Sequence, residues 1–96
     1  MKKPKYKLQP TLKFKRDVKL LKKRGYDLSL LYDVVVKLAN GENLPEQYHD
    51  HPLKGNRKGY RDCHIQNDWV LIYKIDKSIL TLILSETGTR SDLFKL

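Results

Sequence analysis

The stretch from Tyr60 to Ser85 constrains the fold more than any other part of this chain. Tyr60–Gln66 alternates in polarity, Asn67-Asp68 is a two-residue turn signal, and Trp69–Ile75 runs back. Asp76-Lys77 turns the chain again, and Ser78–Ser85 returns. Strands joined by such short turns pair with their neighbours, antiparallel, as a meander. If Asn67-Asp68 is a two-residue loop, the pairing is fixed, and alternation puts Cys63 and Ile65 on one face with Val70 and Ile72. That apolar face is expected to lie against helices. The other face then carries Asp62, His64 and Gln66 opposite Trp69, Leu71 and Tyr73. From Ile79 to Leu84 the last strand is nearly all apolar, so the pattern leaves its register open.

The helices come from the N-terminal half. Tyr6-Lys7-Leu8-Gln9 reads as a short edge strand ended by Pro10, its lysines guarding against stray pairing. Thr11 caps a helix with Phe14, Val18 and Leu21 as its apolar stripe, and Gly25 stops it. Asp27 caps a second helix with the stripe Leu31, Val34, Val35 and Leu38, stopped near Asn40-Gly41. Capping and period outweigh the β-branched run Val34-Val35-Val36. The expected fold class is therefore α+β: two N-terminal helices packed on one face of a small antiparallel sheet, as a single domain over residues 1–96. The chain is too short for a second core, and one cysteine excludes an internal disulfide, so packing alone must hold it. No apolar run reaches membrane-span length. Met1-Lys2-Lys3-Pro4-Lys5 leads into no apolar segment and does not read as a secretory signal, so a cytoplasmic protein is expected.

Charge narrows the partners. Residues 1–24 hold eleven of the 20 lysines and arginines and a single acid, Asp17, whereas the remainder is nearly balanced. Such a one-sided field attracts polyanions, whether nucleic acid, a ribosome or an acidic protein, or is simply the solubilising face of a solvated helix; composition alone does not choose between these. Lys15, Lys19 and Lys22 on the first helix are the expected contacts to a polyanionic partner.

Between Gly41 and Gly59 the periodic pattern stops, leaving a loop of nineteen residues punctuated by Pro45, Pro52, Gly55 and Gly59. Loops of that length tend to be functional. All three histidines, His49, His51 and His64, fall here or just after, interleaved with Asp50, Asp62 and Asp68. Imidazole suits proton transfer near neutral pH, and Asp62, two residues before His64, points the same way and can orient it; the pattern alone fits a surface His-Asp pair with no role at least as well. Spacing argues against zinc: Cys63 and His64 face opposite ways, and neither C-x-x-C nor H-E-x-x-H occurs. Nor is there a Gly-rich nucleotide motif. Cys63 reads as a small core residue. Lys54, Arg57, Lys58 and Arg61 suit phosphate contacts, and Trp69, Tyr73 and Phe94 could stack on bases, although Trp69 and Tyr73 serve equally well as core.

Asp50-His51-Pro52-Leu53-Lys54-Gly55, Gly59-Tyr60-Arg61-Asp62-Cys63-His64 and Asp68-Trp69-Val70-Leu71-Ile72-Tyr73, with Thr87-Gly88-Thr89 and Ser91-Asp92-Leu93-Phe94 near the end, resemble the YafQ branch of the RelE-type toxins of bacterial toxin–antitoxin modules. The resemblance runs from about Tyr6 to Phe94. It implies an α+β domain and a ribosome-dependent mRNA endoribonuclease that cuts in the A site without a metal or other cofactor. The ribose 2′-OH would attack the adjacent phosphorus, leaving a 2′,3′-cyclic phosphate and a 5′-OH. His51, Asp62, His64, Asp68 and Phe94 match site positions of the family. Arg90 stands where the family usually has histidine, and Glu86 where it often has arginine. If the chain is an active nuclease, Arg90 is left an electrostatic role. Implied partners are the ribosome, with Lys15, Lys19 and Lys22 as its contacts, and mRNA, and an acidic antitoxin of ribbon-helix-helix type through which operator DNA is bound; no membrane is involved. The competing expectations are a non-catalytic protein that only binds antitoxin or RNA, and a ParE-like inhibitor of a DNA topoisomerase.

Overall fold

The computed structural model describes residues 3–94. Five strands form one sheet in the order β1-β5-β4-β3-β2, with β1 at Lys7–Pro10, β2 at His51–Pro52, β3 at Arg61–Gln66, β4 at Trp69–Asp76 and β5 at Thr81–Thr89. Helices α1 (Leu12–Lys23) and α2 (Leu28–Ala39) precede β2, and a short α3 (Arg90–Phe94) follows β5. The caps are the expected ones. Thr11 accepts from the Phe14 amide at 3.0 Å, and Asp27 accepts from that of Ser29 at 3.0 Å. Gly25, at φ +83°, ends the first helix in a conformation that a side chain would strain. Phe14 and Leu21 of α1 pack with Leu31, Val34, Val35 and Leu38 of α2 in the main core.

The meander is antiparallel, as expected, but the whole sheet is mixed. β1 is an edge strand that pairs parallel with β5, Lys7 opposite Thr81 through Pro10 opposite Leu84. The helical hairpin is the crossover that allows this pairing. A four-residue strand carries no sequence signal for its direction. β5 starts at Thr81 and not at Ser78, because residues 77–80 form a longer turn in which Asp76 Oδ1 accepts from the Ser78 amide at 3.0 Å. The loop expected from Gly41 to Gly59 is also more structured: it holds 3-10 turns at Glu46–Tyr48 and Gly55–Arg57, with β2 between them.

The expected assignment of sheet faces is overturned. Asn67-Asp68 does make a two-residue loop, with Gln66 opposite Trp69, but His64 then pairs with Val70 and Cys63 with Leu71. Ile65 is the extra residue of a β-bulge, and a one-residue slip exchanges the faces. Cys63, Trp69, Leu71 and Tyr73 therefore pack under the helices. Asp62 and His64 share the other face with Val70 and Ile72, which form a smaller apolar cluster with Leu93. A second bulge, at Ser85, sets Glu86 opposite Ile72 on that same face. Thr87 returns to the helix side, accepting from Trp69 Nε1 and donating to the Val70 carbonyl, each at 2.9 Å.

Candidate active site

Asp62 lies at the centre of the face away from the helices. Its side chain is only 1% exposed, because β2 lies alongside it with His51 directly opposite, and α3 delivers Arg90 to it from β5. Oδ2 is 4.0 Å from His51 Nε2 and 3.9 Å from Arg90 Nη1. Oδ1 is buried and has no hydrogen-bond partner among the described residues. Burial pushes the carboxyl above its usual range; His51, His64 and Arg90 pull back in that order, and Asp50 adds a further upward push. A buried carboxylate ringed by two imidazoles and a guanidinium is strained electrostatically and poised to organise proton carriers.

The histidines are held from different elements. His51 Nδ1 is 2.7 Å from the carbonyl oxygen of His49. Two atoms at that distance need a proton between them, so Nδ1 carries it and Nε2 is the nitrogen turned to Asp62. The carbonyl is aimed by His49 itself, which sits in the left-handed region at φ 48° and ψ 42° as the cap of the first 3-10 turn. His64 shares the Asp62 face two positions further along β3, and the His49 ring meets it edge-on, centroids 5.4 Å apart.

Arg90 starts α3, its amide donating to the Asp68 carbonyl at 2.8 Å. Asp68 thus enters through its backbone; its exposed side chain makes no hydrogen bond or ion pair among the described residues. Arg57, from the second 3-10 turn, donates to the Leu93 carbonyl at 2.9 Å and to Glu86 at 3.2 Å. Its guanidinium carbon is 4.9 Å from the Phe94 ring centroid, and that of Arg90 is 5.5 Å away. Two cations on one aromatic ring form a natural seat for an anion. Glu86 stands behind this seat as an anchor for Arg57, with Lys13 3.5 Å from its other oxygen.

Other expected residues lie elsewhere. Arg61 is on the helix side of the sheet, where its Nε donates to Asp50 Oδ1 at 3.2 Å beside the Tyr73 hydroxyl, which donates to the same atom at 2.7 Å. Alternation along β3 forces this, since Arg61 and Asp62 cannot share a face. Trp69 and Tyr73 are fully buried, which removes them as base-stacking surfaces and leaves Phe94. Lys54 and Lys58 are exposed on either side of the turn bearing Arg57. Lys15, Lys19 and Lys22 form an exposed stripe on α1, in the layer on the other side of the sheet. No group of three or more His, Cys, Asp or Glu side chains among the described residues is arranged to hold a metal ion. The sequence singles out His49 and Glu86 without these supporting roles, because each role depends on a backbone irregularity, the left-handed residue at His49 and the bulge at Ser85.

A family model for the bacterial toxin of type II toxin–antitoxin systems, YafQ, matches residues 6–95. The mRNA interferase toxin YafQ of Escherichia coli strain K12 is 44% identical over 82 residues, which cover 84% of this chain and 87% of that protein. The crystal structure of YafQ from E. coli strain BL21(DE3) matches with a TM-score of 0.87 at 40% identity, over 93% of this chain and 98% of that one. The toxin in the E. coli DinJ–YafQ toxin–antitoxin complex matches at 0.86 and 40% identity, over 94% and 98%.

Proposed function

The chain belongs to the YafQ family of bacterial type II toxin–antitoxin toxins, and from that premise we propose that it is an mRNA interferase whose catalytic centre is the Asp62 cluster. The observation that carries this reading is the buried Asp62 carboxylate with His51 Nε2 at 4.0 Å and Arg90 at 3.9 Å, beside the two guanidiniums gathered on Phe94. These are the parts that transfer of a phosphoryl group to a neighbouring hydroxyl requires. The ribose 2′ oxygen bonds to phosphorus as the bond to the 5′ oxygen breaks. One group must take the 2′ proton and another must supply a proton to the departing oxygen. His51, with Nδ1 committed to the His49 carbonyl, offers Nε2, and His64 is the second carrier. Asp62 orients them. Arg90 cannot exchange a proton at physiological pH, so it and Arg57 serve as donors to the phosphoryl oxygens as charge builds there.

The basic stripe of Lys15, Lys19 and Lys22 supports docking on ribosomal RNA phosphates, with Lys54 and Lys58 at the edge of the cleft on the message. The same charge favours an acidic antitoxin, of ribbon-helix-helix type and contacting operator DNA on behalf of the pair, and action in the cytoplasm, where messages are translated. Mapping 5′ ends on mRNA translated with the purified protein tests the reading. Discrete cuts within codons, lost when ribosomes are omitted, are the expected result; a protein that binds ribosomes and makes no cuts overturns it.

A further inference from the structure

Next to His64 lies a cleft of about 280 Å³ whose walls include Gln47, Tyr48, His49, His64, Gln66 and Asn67. We propose that this cleft receives a base of the message next to the scissile phosphate and sets which sequences are cut. The inference rests on the nuclease reading above, because that reading puts the reacting phosphate between the guanidiniums at Phe94 and the proton carriers His51 and His64.

The lining argues for a base and against a second phosphate. Three amide-bearing residues, Gln47, Gln66 and Asn67, line it together with Ile65, and no lysine or arginine does. Amides pair donor and acceptor with the edge of a heterocycle, and a primary amide can engage two base atoms at once. Tyr48 and His49 line the cleft beside them, adding aromatic residue types suited to a base. The cationic groups are gathered instead at Phe94, where Arg57 and Arg90 meet. Charge is thus divided along the site: guanidiniums on the phosphate, neutral polar groups beyond His64. Two backbone turns bound the cleft, the cap of the first 3-10 turn at His49 and the β3–β4 hairpin turn at Asn67, with φ of 48° and 49°.

The test uses Gln47→Ala, Gln66→Ala and Asn67→Gly, singly and combined. Gln47, Gln66 and Asn67 are exposed, and glycine accepts the conformation that Asn67 adopts, so folding is preserved. Cut sites are mapped by sequencing 5′ ends from mRNA translated with each protein. The expected result is that the combined variant still cuts, with the base preference at one position of the cut codon flattened by about tenfold, the discrimination of one good amide–base pairing. Preferences at other positions stay as in the wild type. A cutting wild type and variants with the same preference at every position overturn this inference alone. A wild type that makes no ribosome-dependent cuts overturns the nuclease reading and this inference with it.

Discussion

Asp62 and Cys63 are neighbours on β3, equally hidden from water, and the sheet sends them to opposite ends. Cys63 points under the helices among Trp69, Leu71 and Tyr73, and burial there pushes its thiol far above the ordinary range, which makes it an inert filler. Asp62 points into a shallow layer made of β2, α3 and the second 3-10 turn, where burial pushes its carboxyl up while three cationic or protonatable groups pull it down. The helix side is built from apolar area and gives stability. The open side is built from opposed charges, and it is there that we propose the chemistry takes place. One strand supplies both because its side chains alternate.

The most severe way to break this division is Asp62→Asn, which keeps the shape and removes the charge. Cleavage should fall by about two to four orders of magnitude, as for loss of a carboxylate that orients a histidine. Stability should move the other way. A carboxyl raised in the folded state above its ordinary value of 3.8 binds a proton more tightly when folded. Its ionisation therefore works against folding once the pH rises from 3.8 through the folded-state value. Asp62→Asn should be at least as stable as wild type at pH 7, and the wild type should gain on it as the pH is lowered through that window. Parallel denaturant titrations from pH 3 to pH 7 read this; a large loss at pH 7 would mean that Asp62 is a structural residue.

Trp69 and Phe94 sharpen the contrast with a matched pair of aromatic residues. Trp69→Ala should cost about 3–5 kcal/mol of stability, the range for emptying a large core site. It also deprives Thr87 of its indole donor and Tyr26 of an edge-on ring contact at 5.2 Å. Phe94→Ala should shift the melting transition little, since the ring is half-exposed, and should lower cleavage by loosening both guanidiniums. If Phe94→Ala unfolds the protein, the open side contributes more to folding than its small apolar cluster indicates.

These two residues also mark how far the sequence could be read. Caps, helix stripes and the meander were legible because each is a local rule: Thr11 and Asp27 bond within their own turns, and alternation survives over six to eight residues. The candidate site was legible as residue types, and the fold gathers His51 and Arg90 at Asp62, with Arg57 and Arg90 on Phe94. The faces were not, because a bulge at Ile65 leaves no mark in composition and exchanges every side chain beyond it. Arg61 failed for the same reason: adjacent basic residues look alike in a sequence, but strand alternation sent this one to Asp50. The parallel pairing of β1 with β5 joins segments some seventy residues apart, and no local signal reports it.

Arg90 gives the next largest effect. Arg90→Ala should lower cleavage by about 2–4 kcal/mol in barrier, the loss seen for one donor to a developing oxyanion. The shape of the pH–rate profile should stay unchanged, since arginine does not titrate in the accessible range. His51→Ala and His64→Ala should each remove one limb. Single-turnover cleavage across pH separates these outcomes, and wild-type rates for Arg90→Ala would remove it from the mechanism.

The smallest expected effect lies on α1, in the layer whose inner side is pure stability. Lys15, Lys19 and Lys22 recur every three or four residues, so they form one exposed stripe beside the buried Phe14 and Leu21. They touch neither the core nor Asp62. Replacing all three by glutamine should therefore leave the folding free energy within about 0.5 kcal/mol. The catalytic step on bound message should also be unaffected. What should change is the salt dependence of ribosome binding. Each lysine on a phosphate releases condensed counterions, so the slope of log affinity against log salt should flatten by up to about three if all three make contact. Codon preference should persist, because phosphate contacts carry no sequence information. Binding measured across a salt series, beside cut-site mapping on the same variant, reads both at once. A changed preference with an unchanged slope would mean that this helix reads sequence, and the outer surface of the stabilising layer would then belong to the site.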